Sequence, residues 1–435
     1  PRCIALTRMP GHKTLTVGAR RYAMLILALV YMFNFIDRQI LAILLPAIRD
    51  EFQVGDTVLG LLTGTAFALF YVTLGIPIAQ VADRWNRRNL LAAALAVWSG
   101  MTALSGIAMN IWHLTIARIG VGIGEAGCSP PAHSMISDYY PPERRSVAMG
   151  FYTLGISTGI MFAYLAGGWV VENYGWRQAF FIVGIPGLIL AAIVRFTVVE
   201  PQRGASEDRV DSGNRPTLPE VFRFLLGRRS FVHMGVAAGL SSFVGYSVVN
   251  FFPSYVVRSF DMGLAELGFW LGIIVGIAGG AGYFGGGIIA DKLGRKSRSR
   301  SFIFLAVSSL VSMLCYVMVF FAQTSGSALA ILILPTVLAN FYLPTVLAQA
   351  QSLVALRMRA VASAIVLLLI NVIGLACGPL LTGMLSDALE PTFGVESMRY
   401  SLLIVGVVIL PWAGWHYVLA GRSIDADLAR ASEND

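Results

Sequence analysis

Four ionisable residues interrupt long apolar stretches of this sequence. Asp37 and Arg38 lie in the stretch 22–46, and Arg118 and Glu125 lie in the stretch 112–137. Burying one charge in hydrocarbon costs at least about 2.5–3.5 kcal/mol. If these stretches cross a membrane, the four side chains therefore face a polar interior or one another. Two carboxylates and two guanidinium groups in one interior can exchange a proton and bind an anion.

The spacing of these charges suggests how they pair. Arg118 and Glu125 are seven residues apart, so they share one face of a helix and lie about 10 Å apart along its axis. Asp37 and Arg38 are adjacent and point about 100° apart. We expect Asp37 to pair with Arg118, with Arg38 and Glu125 near the same cavity. The alternative is two buried ion pairs that only fix helix packing.

A carboxylate held between an arginine and an apolar cavity can take up and release a proton near physiological pH. We therefore expect Asp37, Glu125 and Arg118 to form a proton-coupling site. In this hypothesis the substrate displaces the protonated carboxylate from its arginine.

The composition predicts the elements that position these residues. The 435-residue chain is 56% hydrophobic and 13% charged, whereas soluble domains carry about 25% charged residues. Its apolar stretches reach the roughly 20 residues that one helical crossing requires. We predict an all-α membrane protein with twelve transmembrane helices in two six-helix bundles. The predicted boundaries are an N-terminal tail over 1–21, bundles over 22–199 and 230–421, a linker over 200–229 and a C-terminal tail over 422–435.

The linker contains a candidate amphipathic helix. Its start, Thr217-Leu-Pro-Glu220, has a capping residue and a proline in the first turn. An apolar stripe with arginines beside it follows, formed by Val221, Phe222, Leu225 and Leu226. This pattern predicts a short helix on the cytoplasmic membrane surface.

The basic residues predict the orientation of the chain. Of the 32 Lys and Arg residues, 26 fall on the side of the predicted membrane that holds both termini. Four fall on the other side, and the remaining two are Arg38 and Arg118. Because basic residues concentrate on the cytoplasmic side, we expect both termini in the cytoplasm. The few long loops favour a bacterial inner membrane, and an organellar membrane is the alternative.

The two halves of the sequence repeat with a shift of 208 residues. This shift carries Ala82-Asp-Arg-Trp-Asn-Arg-Arg88 onto Ala290-Asp-Lys-Leu-Gly-Arg-Lys296, and Tyr22 onto Ser230. Two parallel six-helix repeats are typical of transporters whose substrate site lies between the halves, near the bilayer midplane.

The repeated loop carries a family resemblance. Gly287-Ile-Ile-Ala-Asp-Lys-Leu-Gly-Arg-Lys296 resembles the cytoplasmic loop signature of the major facilitator superfamily, and residues 79–88 form a copy that lacks two glycines. The resemblance implies the major facilitator fold and a conformational latch in these loops. The implied gating residues are Asp83, Arg84, Arg87, Asp291 and Arg295. The alternative is a basic loop that only orients the chain.

The charged helices narrow the resemblance. Asn34-Phe-Ile-Asp37-Arg38, Arg118-Ile-Gly-Val-Gly-Ile-Gly-Glu-Ala126 and Pro130-Pro131 resemble the spinster family, and Gly155 and Gly159 have the spacing that lets helices approach closely. The resemblance implies alternating-access transport of an amphiphilic lipid, such as a lysophospholipid or sphingosine phosphate, with a proton as the coupling ion. The Asp-Arg pair also occurs in organic-anion symporters of the superfamily, so a proton-linked symporter of small organic anions stays open.

A lipid substrate needs polar groups for its headgroup and an apolar slot for its chain. We expect Arg38 and Arg118 to bind the headgroup, helped by Asn34, Tyr246 and Asn371. The histidines and four cysteines lack the spacing of metal ligands. The glycines of Gly120–Gly124 resemble a dinucleotide-binding motif, but such a motif follows a strand and these lie in an apolar helix. We therefore expect no metal, cofactor, enzymatic activity or nucleic-acid partner, and we expect a monomer.

Overall fold

The computed structural model describes residues 16–203, 218–294, 297–354 and 358–432, nearly all of them helical. In the first half a π-helical turn, Leu61–Thr65, joins α2 to α3. The helices of this half are α1 (Val17–Phe52), α2 (Asp56–Gly60), α3 (Ala66–Arg84), α4 (Arg87–Ser105), α5 (Ile111–Glu125), α6 (Ser129–Tyr139), α7 (Pro142–Tyr174) and α8 (Trp176–Thr197).

The second half has the same helical character. Two π-helical turns, Ile274–Ala278 and Ile370–Ala376, join α11 to α12 and α16 to α17. The helices are α9 (Leu218–Leu226), α10 (Arg229–Phe260), α11 (Leu264–Ile273), α12 (Gly279–Gly294), α13 (Arg298–Phe320), α14 (Ser325–Ala339), α15 (Tyr342–Ser352), α16 (Arg359–Leu369), α17 (Cys377–Phe393) and α18 (Ser397–Ser432).

Apolar sequence and local capping explain these helices. In hydrocarbon every backbone polar group needs a partner within the chain, which favours helices. The ends are fixed by side chains: Asn86 and Asn110 accept hydrogen bonds from the backbone N–H groups of Asn89 and His113, at 2.9 Å in both cases. These two caps start α4 and α5.

The predicted all-α membrane fold is confirmed. Among the described residues, nine stretches are long and apolar enough to cross a membrane. One of them, Val361–Arg430, has 70 residues, although one crossing needs roughly 20. The number of twelve crossings stays a prediction.

The repeat is visible in the backbone. Gln53 ends α1 and Asp261 ends α10, and both adopt left-handed conformations with φ of 51°. Their positions differ by 208, the shift that the sequence predicts. Within the first half, α7 packs on α1. A Cβ at Gly159 would lie 2.5 Å from the Met32 carbonyl oxygen, so this glycine allows the close approach.

The helix ends define two faces of the molecule. We call the face where α1 begins the terminal end; there Ser230, at the start of α10, donates to Asp427 near the end of α18. We call the other face the distal end; there Arg177, at the start of α8, binds Glu51 near the end of α1. The halves meet through α2 against α17, α7 against α11 and α1 against α10.

Two elements extend past the predicted bundles. Helix α18 continues to Ser432, well into the predicted tail over 422–435, because Asp427 Oδ2 accepts hydrogen bonds from Ser230 N and Oγ at 2.8 and 2.7 Å. In the linker, α9 occupies the predicted position of the amphipathic helix. Val221 and Leu225 are buried against the second half, while Phe222 and Leu226 are exposed.

Candidate functional site

Arg38 and Glu125 form the principal ion pair of the interior. Arg38 Nη2 and Nε donate to Glu125 Oε2 at 2.6 and 3.1 Å. The Glu125 side chain is fully buried and that of Arg38 is 10% exposed. Glu125 Oε1 has no hydrogen-bond partner. Arg38 therefore holds the carboxylate through one oxygen, and the nearby charge of Arg118 also stabilises it.

The predicted ion pair between Asp37 and Arg118 is wrong for this conformation. Arg118 Nη1 donates to the backbone carbonyl of Asp37 at 3.1 Å, not to the carboxylate. The Asp37 carboxylate is buried and has no hydrogen-bond partner; it faces Trp98 and Thr102 of α4. Because adjacent residues of a helix point about 100° apart, Arg38 binds Glu125 directly, whereas the Asp37 carboxylate makes no hydrogen bond to either charged residue of α5.

Aromatic rings surround the Arg38 guanidinium. Its central carbon lies 4.8 Å from the Phe67 ring centroid, 5.0 Å from that of Tyr71 and 5.1 Å from that of Phe35. Cation–π contacts at these distances stabilise a desolvated cation. Arg38 therefore keeps its charge at the edge of an apolar region.

Residues of both halves line one large, partly open cavity of about 1110 Å³. Arg38, Gln39, Tyr71 and Tyr164 line it from the first half, and Tyr246, Phe252 and Asn371 from the second. Among its described lining residues, Arg38 is the only arginine, lysine or carboxylate. The lining reaches Gln80, His133 and Val361 near the terminal end.

The structure brings some of the predicted headgroup residues together and leaves others aside. Arg38, Tyr246 and Asn371 line the cavity. Asn34 and Arg118 are buried and do not belong to its lining. The sequence reasoning missed Tyr31 and Phe35, which line the cavity with Arg38. Their spacing, four and then three residues, places them on one helical face and is a signal that it could have used.

The distal ends of the two halves are joined by a buried ion pair. Arg258 of α10 makes two hydrogen bonds to Asp56 of α2, at 2.5 and 2.7 Å, and Ser386 Oγ donates to the same carboxylate at 2.7 Å. Asp387 of α17 accepts from the backbone N–H groups of Asp56 and Thr57 at 2.7 and 2.8 Å, a favourable position for an anion. The sequence reasoning did not select these residues.

The predicted gating residues lie at the terminal end. Arg87 is buried and binds Asp138 and Ser134 of the first half, and Glu200 and the Pro201 carbonyl at the start of the linker. Arg84 is exposed. These contacts hold α4 to α6 and to the segment after α8.

The other predicted gating residues lie outside what the structure describes. Asp83 and Asp291 belong to helices whose side chains at these positions are not described, and Arg295 lies between the described ranges. Their latch role stays a prediction.

Comparison with known proteins identifies the family. The sequence profile of the Major Facilitator Superfamily matches residues 27–379. An "MFS-type efflux pump" of Mycolicibacterium smegmatis is 31% identical over 402 residues, covering 91% of this chain and 92% of the relative. "Protein spinster homolog 1" of Homo sapiens is 28% identical over 432 residues, covering 92% of this chain and 79% of the relative.

A solved structure agrees with these relatives. It is described as a bacterial homologue of the human lysosomal transporter Spinster in an inward-facing and unoccupied conformation. The two folds superpose with a TM-score of 0.87 at 30% identity, covering 95% of this chain and 99% of the other. The chain therefore belongs to the major facilitator superfamily and is a membrane transporter that resembles the spinster proteins.

Proposed function

We propose that this transporter moves an amphiphilic lipid, of the lysophospholipid or sphingosine-phosphate type, by alternating access coupled to protons. The observation that carries the proposal is the cavity of about 1110 Å³ between the halves, with Arg38 as the one fixed cation of its described lining. A small polar anion needs several polar partners, whereas an amphiphile needs one charged group and a large apolar surface.

The lining supports this division. An anionic or phosphate headgroup fits at Arg38, where Tyr71 and Tyr246 lie in the same cavity. The acyl chain fits against the apolar lining from Val248, Phe252 and Leu271. Asn371, with its amide nitrogen bonded to the Leu367 carbonyl at 2.9 Å, presents its side-chain oxygen as an acceptor for a headgroup donor.

The Arg38–Glu125 pair supports proton coupling. A proton on Glu125 removes the charge that holds Arg38, and the guanidinium becomes available to an anionic headgroup. The protein then binds a proton at Glu125 and an anion at Arg38 in the same conformation. Asp37, buried without a hydrogen-bond partner, is the second candidate, because an unpartnered carboxylate in a low-dielectric site is penalised as an anion.

We further propose that the terminal end faces the cytoplasm, in a bacterial inner membrane, and that the monomer is the working unit. The bias of basic residues towards that end supports the orientation. A membrane-impermeant maleimide added to intact cells tests it: Met109→Cys, 81% exposed at the distal end, is expected to react and Trp85→Cys is not. Reaction of Trp85→Cys alone would reverse the orientation.

Flux in proteoliposomes tests the function. Labelled lysophospholipid and sphingosine phosphate are compared with a small organic acid, with and without an imposed pH gradient. We expect lipid flux that rises with the gradient, loses its pH dependence in Glu125→Gln and falls at least about tenfold in Arg38→Ala. Glu51→Gln is the matched control, because this carboxylate is exposed at the distal end and binds Arg177 of its own half.

The outcomes separate the two candidate substrates. Organic-acid flux without lipid movement would replace the lipid by a small anion and leave the Arg38–Glu125 site in place. Lipid flux with unchanged pH dependence in both Asp37→Asn and Glu125→Gln would remove proton coupling at these carboxylates.

A further inference from the structure

Pro253 leaves a backbone carbonyl of α10 without its usual partner. Proline lacks an N–H group, so inside a helix the carbonyl four residues earlier receives no intrahelical hydrogen bond. For Pro253 of α10 that carbonyl belongs to Val249. A buried carbonyl in such a position needs another donor, or it destabilises the conformation that buries it.

A side chain from the opposite half supplies the donor. Tyr164 Oη, on α7 of the first half, donates to the Val249 carbonyl at 2.7 Å. Tyr164 is 1% exposed. At the same level the backbones of α7 and α11 nearly touch, since a Cβ at Gly268 would lie 2.4 Å from the Tyr164 carbonyl oxygen. The hydrogen bond therefore bridges the two halves next to a close contact between their backbones.

The same hydroxyl faces the substrate cavity. Gln39, Tyr164 and Val249 all belong to the cavity lining, and Gln39 Nε2 lies 3.5 Å from Tyr164 Oη. A chain of contacts thus runs from α1, next to Arg38, through Tyr164 to the carbonyl on α10. It lies between the cavity and the closed distal end.

We propose that Tyr164 is a gate residue that stabilises the distal-closed state by satisfying the Val249 carbonyl freed by Pro253. When the halves separate at the distal end, this bond breaks and water can reach the carbonyl. The hydroxyl therefore favours the closed state and leaves the open state unaffected. The inference rests on alternating access and does not depend on the lipid or the proton proposed above.

Distances between spin labels test the gate without any substrate. Labels are attached to Met109→Cys and Val395→Cys, which are 81% and 67% exposed on the two halves at the distal end, after replacement of the native cysteines. Tyr164→Phe is expected to raise the ratio of distal-open to distal-closed molecules at least about fivefold, the lower end of the effect of an unsatisfied acceptor, because the hydrogen bond is part-buried. Tyr152→Phe is the matched control, because it removes a buried hydroxyl of the same helix that has no hydrogen-bond partner.

A double-mutant cycle tests the cause. Pro253→Ala restores an N–H group to position 253, so the Val249 carbonyl regains an intrahelical donor. Tyr164→Phe is then expected to change the ratio less than about twofold in the Pro253→Ala background. Equal effects of Tyr164→Phe in both backgrounds, or equal effects of Tyr164→Phe and Tyr152→Phe, would overturn the proposal. Flux assays play no part in this result, so it stands or fails separately from the proposed substrate.

Discussion

The buried ion pair between Asp56 and Arg258 makes the sharpest prediction about the alternating movement. It joins α2 of one half to α10 of the other, and the two side chains are only 1% and 11% exposed. Replacing Arg258 by Gln leaves the Asp56 carboxylate buried without its bidentate partner. We expect only the distal-closed state to lose stability, because separation of the halves would expose Asp56 to water.

The structure sets the magnitude. Removing one partner of a buried ion pair costs about 3–5 kcal/mol. Asp56 keeps the hydrogen bond from Ser386 Oγ at 2.7 Å, and Arg49 Nε lies 3.7 Å away, so the lower value applies. About 3 kcal/mol is roughly a hundredfold change in an equilibrium, since 1.4 kcal/mol is tenfold. A distal-open population of about 1% would become about one half.

Spin-label distances across the distal end measure this shift directly. The matched control is Arg177→Gln, which breaks a bidentate pair at the same end, 36% and 40% exposed, with both partners in one half. An exposed pair contributes about 0–1 kcal/mol, and it does not report on separation of the halves. If Arg258→Gln and Arg177→Gln give the same distance distribution as the wild type, the ion pair does not hold the distal end closed.

Two further predictions concern packing. Gly60→Ala places a Cβ 2.3 Å from the Pro379 carbonyl oxygen of α17. We expect this substitution to shift the spin-label distances towards those of the distal-open state. The control is Gly75→Ala, whose Cβ meets nothing within 4 Å and which we expect to leave the distances unchanged. Arg87→Met breaks a buried network between the first half and the start of the linker. We expect it to destabilise the protein by about 3–5 kcal/mol, measured as a lower Tm in detergent, whereas Arg84→Met at an exposed position changes Tm little. Equal Tm values would show that the contacts of Arg87 do not stabilise the fold.

The sequence predicts the type of fold well because hydrocarbon leaves few choices. Long apolar stretches must be helices, and the shift of 208 residues requires two similar halves; the left-handed caps at Gln53 and Asp261 show this repeat in the backbone. The sequence also identifies Arg38 and Glu125 as candidate functional residues, because a charge in an apolar stretch is costly to bury. Their identity needs no knowledge of the tertiary structure.

The partners of these residues depend on how helices are rotated and shifted against one another. Arg38 and Asp37 are neighbours, so a rotation of α1 about its axis by one residue would exchange their partners. The sequence does not give this rotation, and the predicted pairing of Asp37 with Arg118 failed for that reason. Asp56 and Arg258 are 202 residues apart, and nothing local links them. Pro253 identifies the free carbonyl of Val249 from sequence alone, but only the tertiary structure identifies Tyr164 of α7 as its donor.

Three consecutive residues on one turn of α1 make three different contacts. Asp37 faces α4, Arg38 faces Glu125 and the cavity, and Gln39 contacts the Tyr164 hydroxyl. Successive residues point about 100° apart, so a small rotation of α1 changes all three contacts together. We therefore expect release of Arg38 from Glu125 to move Gln39 as well and to change its contact with the Tyr164 hydroxyl. We therefore expect the proposed proton site, the cavity and the proposed distal gate to be coupled, because they share this turn of helix.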